Sequence, residues 1–321
     1  MNSISLTNKE KFKRFSEKHR NNLPYSLHFD WWNEVIHKNW DVAVVGQPKQ
    51  TIAVWPYFFR KKGPWKVISS AYFTPYVGPY IIYPEDQKPS TKVSFEHKTI
   101  QALIEQLPKV ASIEQKFHLN FNNGLSFQWN NFEESIGYTY VLDLNQSKEN
   151  LWSNLRENIR RQIKKAEKDL ITYNDFNAPL VEKLFQSTFA QQNTNYPIGD
   201  EKIIERLVSF INNHQSGNVL FAKDKKGNIN AVNTCVYDAE TAYYLIGGSE
   251  AKFKNSGAMS WLMWQQILAA KEKGCMVFNF EGSSIPSIER FIRGFGGELK
   301  SYHQIYKLNS KSLKIAERIR G

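Results

Sequence analysis

The chain has 321 residues and a formal net charge of +11 at pH 7, and 41% of its residues are hydrophobic and 23% charged. These proportions are typical of a soluble globular protein, and the length suggests two domains. Residues 1–15 contain no apolar signal core, and no stretch approaches the roughly 18 apolar residues that span a bilayer. Cys235 and Cys275 lie in apolar stretches without disulfide-framework or metal-ligand spacing. The sequence therefore predicts a cytoplasmic protein with buried thiols and no metal.

The positive charge predicts an anionic partner, which could be nucleic acid, a phosphorylated cofactor or an anionic surface. The alternative is a basic soluble protein whose charge has no dedicated partner. No aromatic base-reading sheet motif is present, so an RNA partner would be held through its phosphate charge alone.

The first half of the chain is predicted to mix helices and strands in one domain, residues 1–145. Helices are predicted at 7–19, 29–37 and 99–107, and strands at 41–45, 51–59, 65–70, 117–121 and 138–142. Pro56 lies inside the second strand, which indicates an edge position or a bulge. Residues 87–96 are predicted to be a polar linker.

Residues 72–83 read YFTPYVGPYIIY, an aromatic stretch interrupted by two prolines and a glycine. These interruptions exclude a regular helix or central strand and predict a rigid extended segment. The segment either lines a cleft, with Tyr76 as a candidate substrate contact, or packs as an aromatic loop between strands.

The second half, residues 146–321, opens with a predicted basic helix at 148–170, which Ser147 can cap. A spacing of four residues places one apolar row and one basic row on neighbouring faces of this helix. The apolar row is Leu151, Leu155, Ile159 and Ile163, and the basic row is Arg156, Arg160 and Lys164. The basic row is either a solvated surface or a wall facing a phosphorylated ligand or RNA.

The following elements predict a mixed sheet. They are strands at 172–176, 218–223, 229–237, 241–246 and 275–280, and helices at 179–192, 200–214 and 258–273. Gly247 and Gly248 are predicted to end the strand 241–246. Three antiparallel strands and one strand reached through a helical crossover give an α/β fold with a mixed sheet.

The loop at 252–257 and the helix that follows it predict an anion site. The first amides of a helix have no partner within it, so they can bind phosphate. The candidate cofactor-binding residues are Lys252, Lys254, Asn255, Ser256, Gly257 and Ala258. The alternative is an ordinary crossover with a solvated loop.

Three stretches of the second half carry a family resemblance: LWSNLRENIRRQIKKAEK at 151–168, KFKNSGAMSWLMWQQILAAKEKGCMVFNFEG at 252–282, and FIRGFGG at 291–297. They resemble the GNAT-type acyltransferases, and more closely the FemAB-like bacterial branch with two tandem GNAT-like domains. YFTPYVGPY at 72–80 resembles a first-domain motif of a bacterial subgroup. Two positions differ from the usual cofactor loop: Lys254 replaces its opening Gln or Arg, and Met259 replaces a small residue.

The resemblance implies transfer of an acyl or aminoacyl group to an amine. Glu281 is the candidate base, or alternatively a structural carboxylate that bonds the amides of 282–284. Tyr244 is a candidate proton donor to the leaving group, and a strand amide freed at a bulge near Gly247 is the candidate oxyanion donor. The remaining candidate substrate contacts are Arg290, Arg293, Ser283, Ser284 and Arg160.

Three functions stay open on the sequence. The first is transfer from acyl-CoA to an amine of a small molecule or a peptidoglycan precursor. The second is aminoacyl transfer from charged tRNA, although the long helical arm of the bridge-forming enzymes is absent from the sequence. The third is a non-catalytic GNAT-like module that binds a phosphorylated ligand or a protein.

Overall fold

The computed structural model describes residues 6–47, 50–192, 194–282 and 285–320. Its helices are α1 Asn8–His19, α2 Pro89–Glu105, α3 Leu125–Trp129, α4 Lys148–Ser153, α5 Glu157–Asp169, α6 Ala178–Gln191, α7 Ile203–His214, α8 Ala258–Glu272, α9 Pro286–Arg293 and α10 Lys311–Arg320. Its strands are β1 Trp40–Gln47, β2 Gln50–Lys62, β3 Trp65–Ser69, β4 Tyr80–Ile81, β5 Ser112–Lys116, β6 Glu133–Asp143, β7 Leu170–Asn174, β8 Gly217–Asp224, β9 Ile229–Tyr237, β10 Thr241–Ser249, β11 Val277–Asn279 and β12 Glu298–Leu308. The predicted helix at 29–37 is a π-helical turn, Trp31–Ile36.

The chain forms two compact units. The first contains Met1–Gly137 and Ser301–Gly321, and the second contains Tyr138–Lys300. The sequence analysis assigns residues 301–321 to the second domain, whereas the compact units place them with the first.

The first unit contains a sheet in the order β1-β2-β3-β5-β12, with β4 beside β2. Neighbouring strands are antiparallel except β3 and β5, which are parallel. At Pro56, β2 pairs with β1 on one side, and its other side lies between the β4 and β3 pairings. A proline has no amide to donate, so this interruption accommodates it. The core is largely aromatic and includes Trp31, Trp32, Trp55, Phe117 and Phe127.

The segment 72–80 packs into the first unit as an aromatic loop. The Val77 amide donates to the Lys116 carbonyl at the end of β5, at 2.8 Å. The Trp31 indole donates to the Thr74 hydroxyl at 2.9 Å. Tyr76 is 3% exposed. The packed-loop alternative therefore describes this segment.

The second unit contains a sheet in the order β6-β11-β10-β9-β8-β7. The strands are antiparallel except β10 and β11, which are parallel. The predicted mixed sheet is thus confirmed. Both cysteines are free and buried, as predicted.

The predicted helix at 148–170 is wrong as a single element. Ser147 does cap its start, accepting from the Asn150 amide at 3.2 Å. The chain then leaves the helix between α4 and α5, and the Arg156 amide donates to the Gly294 carbonyl at 2.9 Å. A long-range backbone bond therefore replaces a helical one at this point.

Two helix starts also differ from the prediction. The predicted linker at 87–96 is mostly helix, since α2 begins at Pro89. Proline is compatible with the first turn of a helix, where the amide that it lacks would have no partner. The helix predicted from Asp200 begins at Ile203. The Asp200 carboxylate instead pairs with Arg206 at 2.5 Å.

The predicted end of the strand at Gly247 is wrong, because β10 continues through both glycines to Ser249. The antiparallel pairing with β9 holds them there: Gly247 pairs with Asn233 and Gly248 with Val232. In the first part of β10 the register shifts between Tyr244 and Ile246, which is a β-bulge at Leu245.

Candidate active site

A cavity of about 590 Å³ lies in the second unit where β10 and β11 part. The two strands pair only over three residues, Thr241–Tyr243 with Val277–Asn279. β11 then ends, while β10 runs on to Ser249. From Tyr244 onward, the edge of β10 that faces away from β9 has no strand partner in the described part of the chain. Its backbone groups are therefore available to a ligand in the cavity.

The cavity opens on both faces of the sheet. A Cβ on Gly247 would overlap the Tyr244 hydroxyl and approach the Met259 side chain on α8, at 2.7 Å. A Cβ on Gly248 would lie 2.5 Å from the Leu184 backbone on α6. Successive strand residues point to opposite faces, so α8 and α6 cover opposite sides of β10. Because residues of both helices line the cavity, it passes through the sheet between the parted strands.

The N-terminus of α8 forms part of the cavity wall. Gly257 precedes the helix with φ of 81°, and no side chain caps the helix from that position. The Ala258 amide donates to the Ser256 hydroxyl at 3.3 Å. The next two amides, of Met259 and Ser260, have no acceptor among the described residues. Both residues line the cavity, so this helix end presents free donors to it.

Helix α5 fixes the position of this helix end. The Ser260 hydroxyl, in the first turn of α8, donates to the Gln162 side chain at 2.5 Å. A Cβ on Gly257 would overlap the Gln162 carbonyl oxygen, so only glycine permits this approach. The Lys165 ammonium donates to the Asn255 carbonyl at 2.8 Å. The loop is therefore held against α5 at three points.

Glu281 stands at the opposite wall, directly after β11 and Phe280. Its φ is 62°, a left-handed conformation that is unusual for glutamate, and Gly282 follows with φ of 63°. The Glu281 amide donates to the Asn279 side chain at 2.9 Å, and the Thr139 hydroxyl donates to the same oxygen, also at 2.9 Å. This turn places Glu281 at the cavity. Backbone strain of this kind costs about 1–3 kcal/mol and is found most often at functional sites.

The cavity wall has few charges. Lys254 and Glu281 are the charged side chains among its described lining residues. The other walls are apolar or carry uncharged polar groups. Burial raises the pKa of the Tyr244 hydroxyl, which stays protonated. Within the described part of the chain this hydroxyl makes no hydrogen bond, so it can donate to a ligand.

Residues 153–286 match the family model of the acetyltransferase (GNAT) domain. The second unit therefore carries a GNAT domain. This match confirms the resemblance to GNAT-type acyltransferases that the sequence stretches indicated. No curated protein sequence matches the chain.

Solved structures share the fold of the whole chain. FemX is similar over 98% of this chain and 99% of its own, at 13% identity and a TM-score of 0.65. The C-terminal domain of a protein assigned as a lysylphosphatidylglycerol synthetase, from Agrobacterium fabrum, is similar over 97% and 96%, at 12% identity and a TM-score of 0.57. A tandem GNAT protein from the clavulanic acid biosynthesis pathway is similar over 84% and 83%, at 9% identity and a TM-score of 0.50. The predicted tandem GNAT-like fold is thus confirmed.

No helix among residues 6–47, 50–192, 194–282 and 285–320 is long and apolar enough to cross a membrane. The same residues contain no cluster of three or more His, Cys, Asp or Glu side chains that could hold a metal ion.

Five of the residues proposed from sequence lie together at the cavity of the GNAT domain. They are Glu281, Tyr244, Gly247, Lys254 and Gly257. Lys252, Asn255, Ser256 and Ala258 belong to the same loop and helix start but do not line the cavity. Ser283 and Ser284 lie outside the described residues.

The proposed arginine contacts are engaged elsewhere or exposed. Arg160 donates to the carbonyls of Ser153 and Leu155, at 2.8 and 2.7 Å, and so holds the break between α4 and α5. Arg293 pairs with Glu289 at 2.9 Å. Arg290 is exposed and does not line the cavity.

Tyr140 and Tyr76 contact other side chains and do not line the cavity. The Tyr140 hydroxyl donates to Glu289 at 2.5 Å, and that hydrogen bond raises the pKa of Tyr140. Tyr76 belongs to the first unit, where its ring lies 5.0 Å from that of Tyr302. It therefore serves the core of that unit.

Sequence reasoning missed the α6 wall of the GNAT domain. This wall consists of Phe185, Thr188, Phe189 and Gln191 of α6, together with Gln192 directly after it. The Gln191 side chain donates to the Ser249 carbonyl at 2.8 Å and fixes α6 to the end of β10. The two glycines of β10 were the available signal, because adjacent glycines within a strand indicate close approach of another backbone.

Proposed function

We propose that the GNAT domain transfers an acyl group from a CoA-type thioester to an amine. The observation that carries the proposal is the cavity that crosses the sheet between β10 and β11. Two reactants can reach the same gap from opposite faces, the donor along α8 and the amine along α6. Holding two reactants in this way removes much of the entropic cost of their encounter.

The donor side of the cavity suits a phosphorylated carrier. The free amides of Met259 and Ser260 lie at the positive end of the α8 dipole, and Lys254 adds a cation beside them. Helix N-termini of this kind bind phosphate groups. The free edge of β10 from Tyr244 to Gly248 offers backbone donors and acceptors to the amide-containing arm of the carrier.

The residues around the gap suit the chemistry of amide formation. The thioester supplies an activated carbonyl, which the amine nitrogen attacks. Glu281 can accept the proton that the amine loses, directly or through one water. An amide of the β10 edge beside the Leu245 bulge can stabilise the developing oxyanion. The protonated Tyr244 hydroxyl can donate its proton to the departing thiolate.

Calorimetric titration with CoA tests the donor site, using two matched tryptophan variants. Met259→Trp fills the cavity from α8 and should weaken CoA binding at least tenfold. Met276→Trp makes the same change at a side chain that is 41% exposed and absent from the cavity wall, so binding should be unchanged. Absence of CoA binding by the wild-type protein at millimolar concentration would remove the proposal.

The second candidate is aminoacyl transfer from charged tRNA. Its support is the exposed basic face of α5, which lies beside the α8 N-terminus. This face consists of Arg161, Lys164, Lys165 and Lys168. FemX and the lysylphosphatidylglycerol synthetase domain share the fold, and the name of the latter indicates a lysyl-lipid product. For this candidate we propose the acceptor that the sequence analysis predicted, an amine of a peptidoglycan precursor.

Gel retardation with tRNA at several salt concentrations separates the two candidates. A tRNA donor requires a shift that weakens steeply with salt and that Lys164→Gln/Lys168→Gln reduces. A CoA donor requires acyl transfer to persist in that double variant. A tRNA shift that the substitutions do not change would count against the second candidate.

A further inference from the structure

A second cavity lies in the first unit, and none of its lining residues lines the proposed transferase site. It has a volume of about 290 Å³. The last turns of α1, the start of β2 and the segment after β4 form its walls. Its lining residues are Arg14, Phe15, Lys18, His19, Gln50, Thr51, Ile52, Ile82, Tyr83 and Pro84. None of these residues is acidic.

Three basic side chains of α1 converge on this cavity. Arg14 and Lys18 are four residues apart and share one face of the helix, and His19 follows. The acidic side chains of the same helix do not line the cavity: Glu10 accepts from the Thr7 amide at 2.7 Å and interacts electrostatically with Arg14, and Glu17 lies 4.0 Å from Lys13. Neither Arg14 nor Lys18 forms an ion pair with another described side chain, so both cations can bind a ligand.

The net charge of the cavity is close to +2 at neutral pH. Burial and the neighbouring Lys18 lower the pKa of His19, so its ring is neutral at pH 7. Burial, followed by the Glu96 carboxylate that hydrogen-bonds its hydroxyl, raises the pKa of Tyr83, which stays neutral. Glu96 is not among the residues that line the cavity. The β2 residues of the wall do not ionise. Arg14 and Lys18 thus supply the two permanent charges.

The floor of the cavity is apolar. Phe15 is 3% exposed, and its ring lies 6.2 Å from that of Tyr80. Ile52 and Ile82 close the other side. The volume lies just below the usual range for small-molecule sites, about 300–1,000 Å³. A ligand that fits has a small apolar body and an anionic group.

We infer that this cavity binds a soluble phosphate monoester with a small apolar group. A phosphate monoester carries close to two negative charges at neutral pH, which matches the two permanent cations. The Arg14 guanidinium can bind two phosphate oxygens at once, and Lys18 can neutralise the remaining charge. A carboxylate has one charge and would leave one cation unmatched.

Phenyl phosphate, followed by calorimetry, is the probe, with benzoate and inorganic phosphate for comparison. Phenyl phosphate should bind more tightly than either, because only it satisfies both the cations and the apolar floor. Arg14→Gln/Lys18→Gln should weaken its binding at least tenfold. Lys38→Gln/Lys61→Gln removes the same charge from exposed positions outside the cavity and should change binding less than twofold.

Lys254→Gln tests whether phenyl phosphate binds instead at the cavity of the second unit, which Lys254 lines. This substitution should leave phenyl phosphate binding unchanged. The inference is overturned if phenyl phosphate does not bind at millimolar concentration. It is also overturned if the Arg14/Lys18 variant binds as the wild type does, or if the Lys38/Lys61 variant loses as much affinity. Neither result bears on CoA binding by the GNAT domain.

Discussion

Replacing Gly257 by alanine tests how the α8 N-terminus is held. Gly257 has φ of 81°, and its Cβ position overlaps the Gln162 carbonyl oxygen of α5. The left-handed conformation costs alanine about 1–2 kcal/mol. Overpacking against a backbone atom, which cannot rotate away, adds about 1–3 kcal/mol. We expect Gly257→Ala to lower the free energy of unfolding by about 2–5 kcal/mol in urea denaturation.

Gly274→Ala is the matched control, because Gly274 has φ of 93° and a Cβ there meets nothing within 4 Å. It should cost only the backbone strain, about 1–2 kcal/mol. Gly257→Ala should also weaken CoA binding, since separating α8 from α5 displaces the free helix amides, and Gly274→Ala should not. Equal destabilisation by the two substitutions would refute the described contact between α5 and the α8 N-terminus.

Three further predictions concern catalysis, stoichiometry and pH. Glu281→Gln should lower the rate of acyl transfer by about 10²–10⁴ with an unchanged melting temperature, and a change of less than twofold would remove Glu281 as the base. Calorimetry should give one CoA per chain, because the proposed donor site lies in the second unit, and a value of two would contradict that placement. Burial lowers the pKa of His118 to about 4, below its ordinary value of about 6.5. The unfolded chain then binds more protons between these pH values, so stability should fall by up to about 3 kcal/mol as pH drops from 6.5 to 4. Urea denaturation at pH 7 and 4.5 should show a smaller fall in His118→Leu, and an identical fall would contradict the assignment.

The sequence predicted the parts of the fold that depend on local pattern. The crossover through α8 and the mixed sheet of the second unit followed from hydrophobic periodicity and strand length. The loop before α8 was located because Gly257 and its polar neighbours precede a long apolar helix. These signals also located Glu281, which follows a buried strand.

The errors arise where distant backbone contacts override local preference. The break between α4 and α5 depends on the Gly294 carbonyl, which no local pattern near Arg156 reveals. The extension of β10 through Gly247 and Gly248 depends on pairing with β9. Arg160, a candidate substrate contact from the sequence, donates to the carbonyls at the break between α4 and α5, a contact that no local pattern reveals.

The α6 wall of the cavity could not be derived from sequence, because it also depends on contacts between elements that are distant along the chain. Phe185 and Phe189 are indistinguishable in pattern from the core residues of any amphipathic helix. They reach the cavity because β10 and β11 part, and that separation is set by where β11 stops pairing.

Hydrogen–deuterium exchange with and without CoA tests the central claim directly, because the β10 edge and the α8 N-terminus have free amides that a bound donor would cover. In peptides covering 244–249 and 256–261, the amides without a hydrogen-bond partner should exchange fast in the free protein and become protected when CoA binds. Protection confined to other peptides, or none at saturating CoA, would contradict a donor site between β10 and β11.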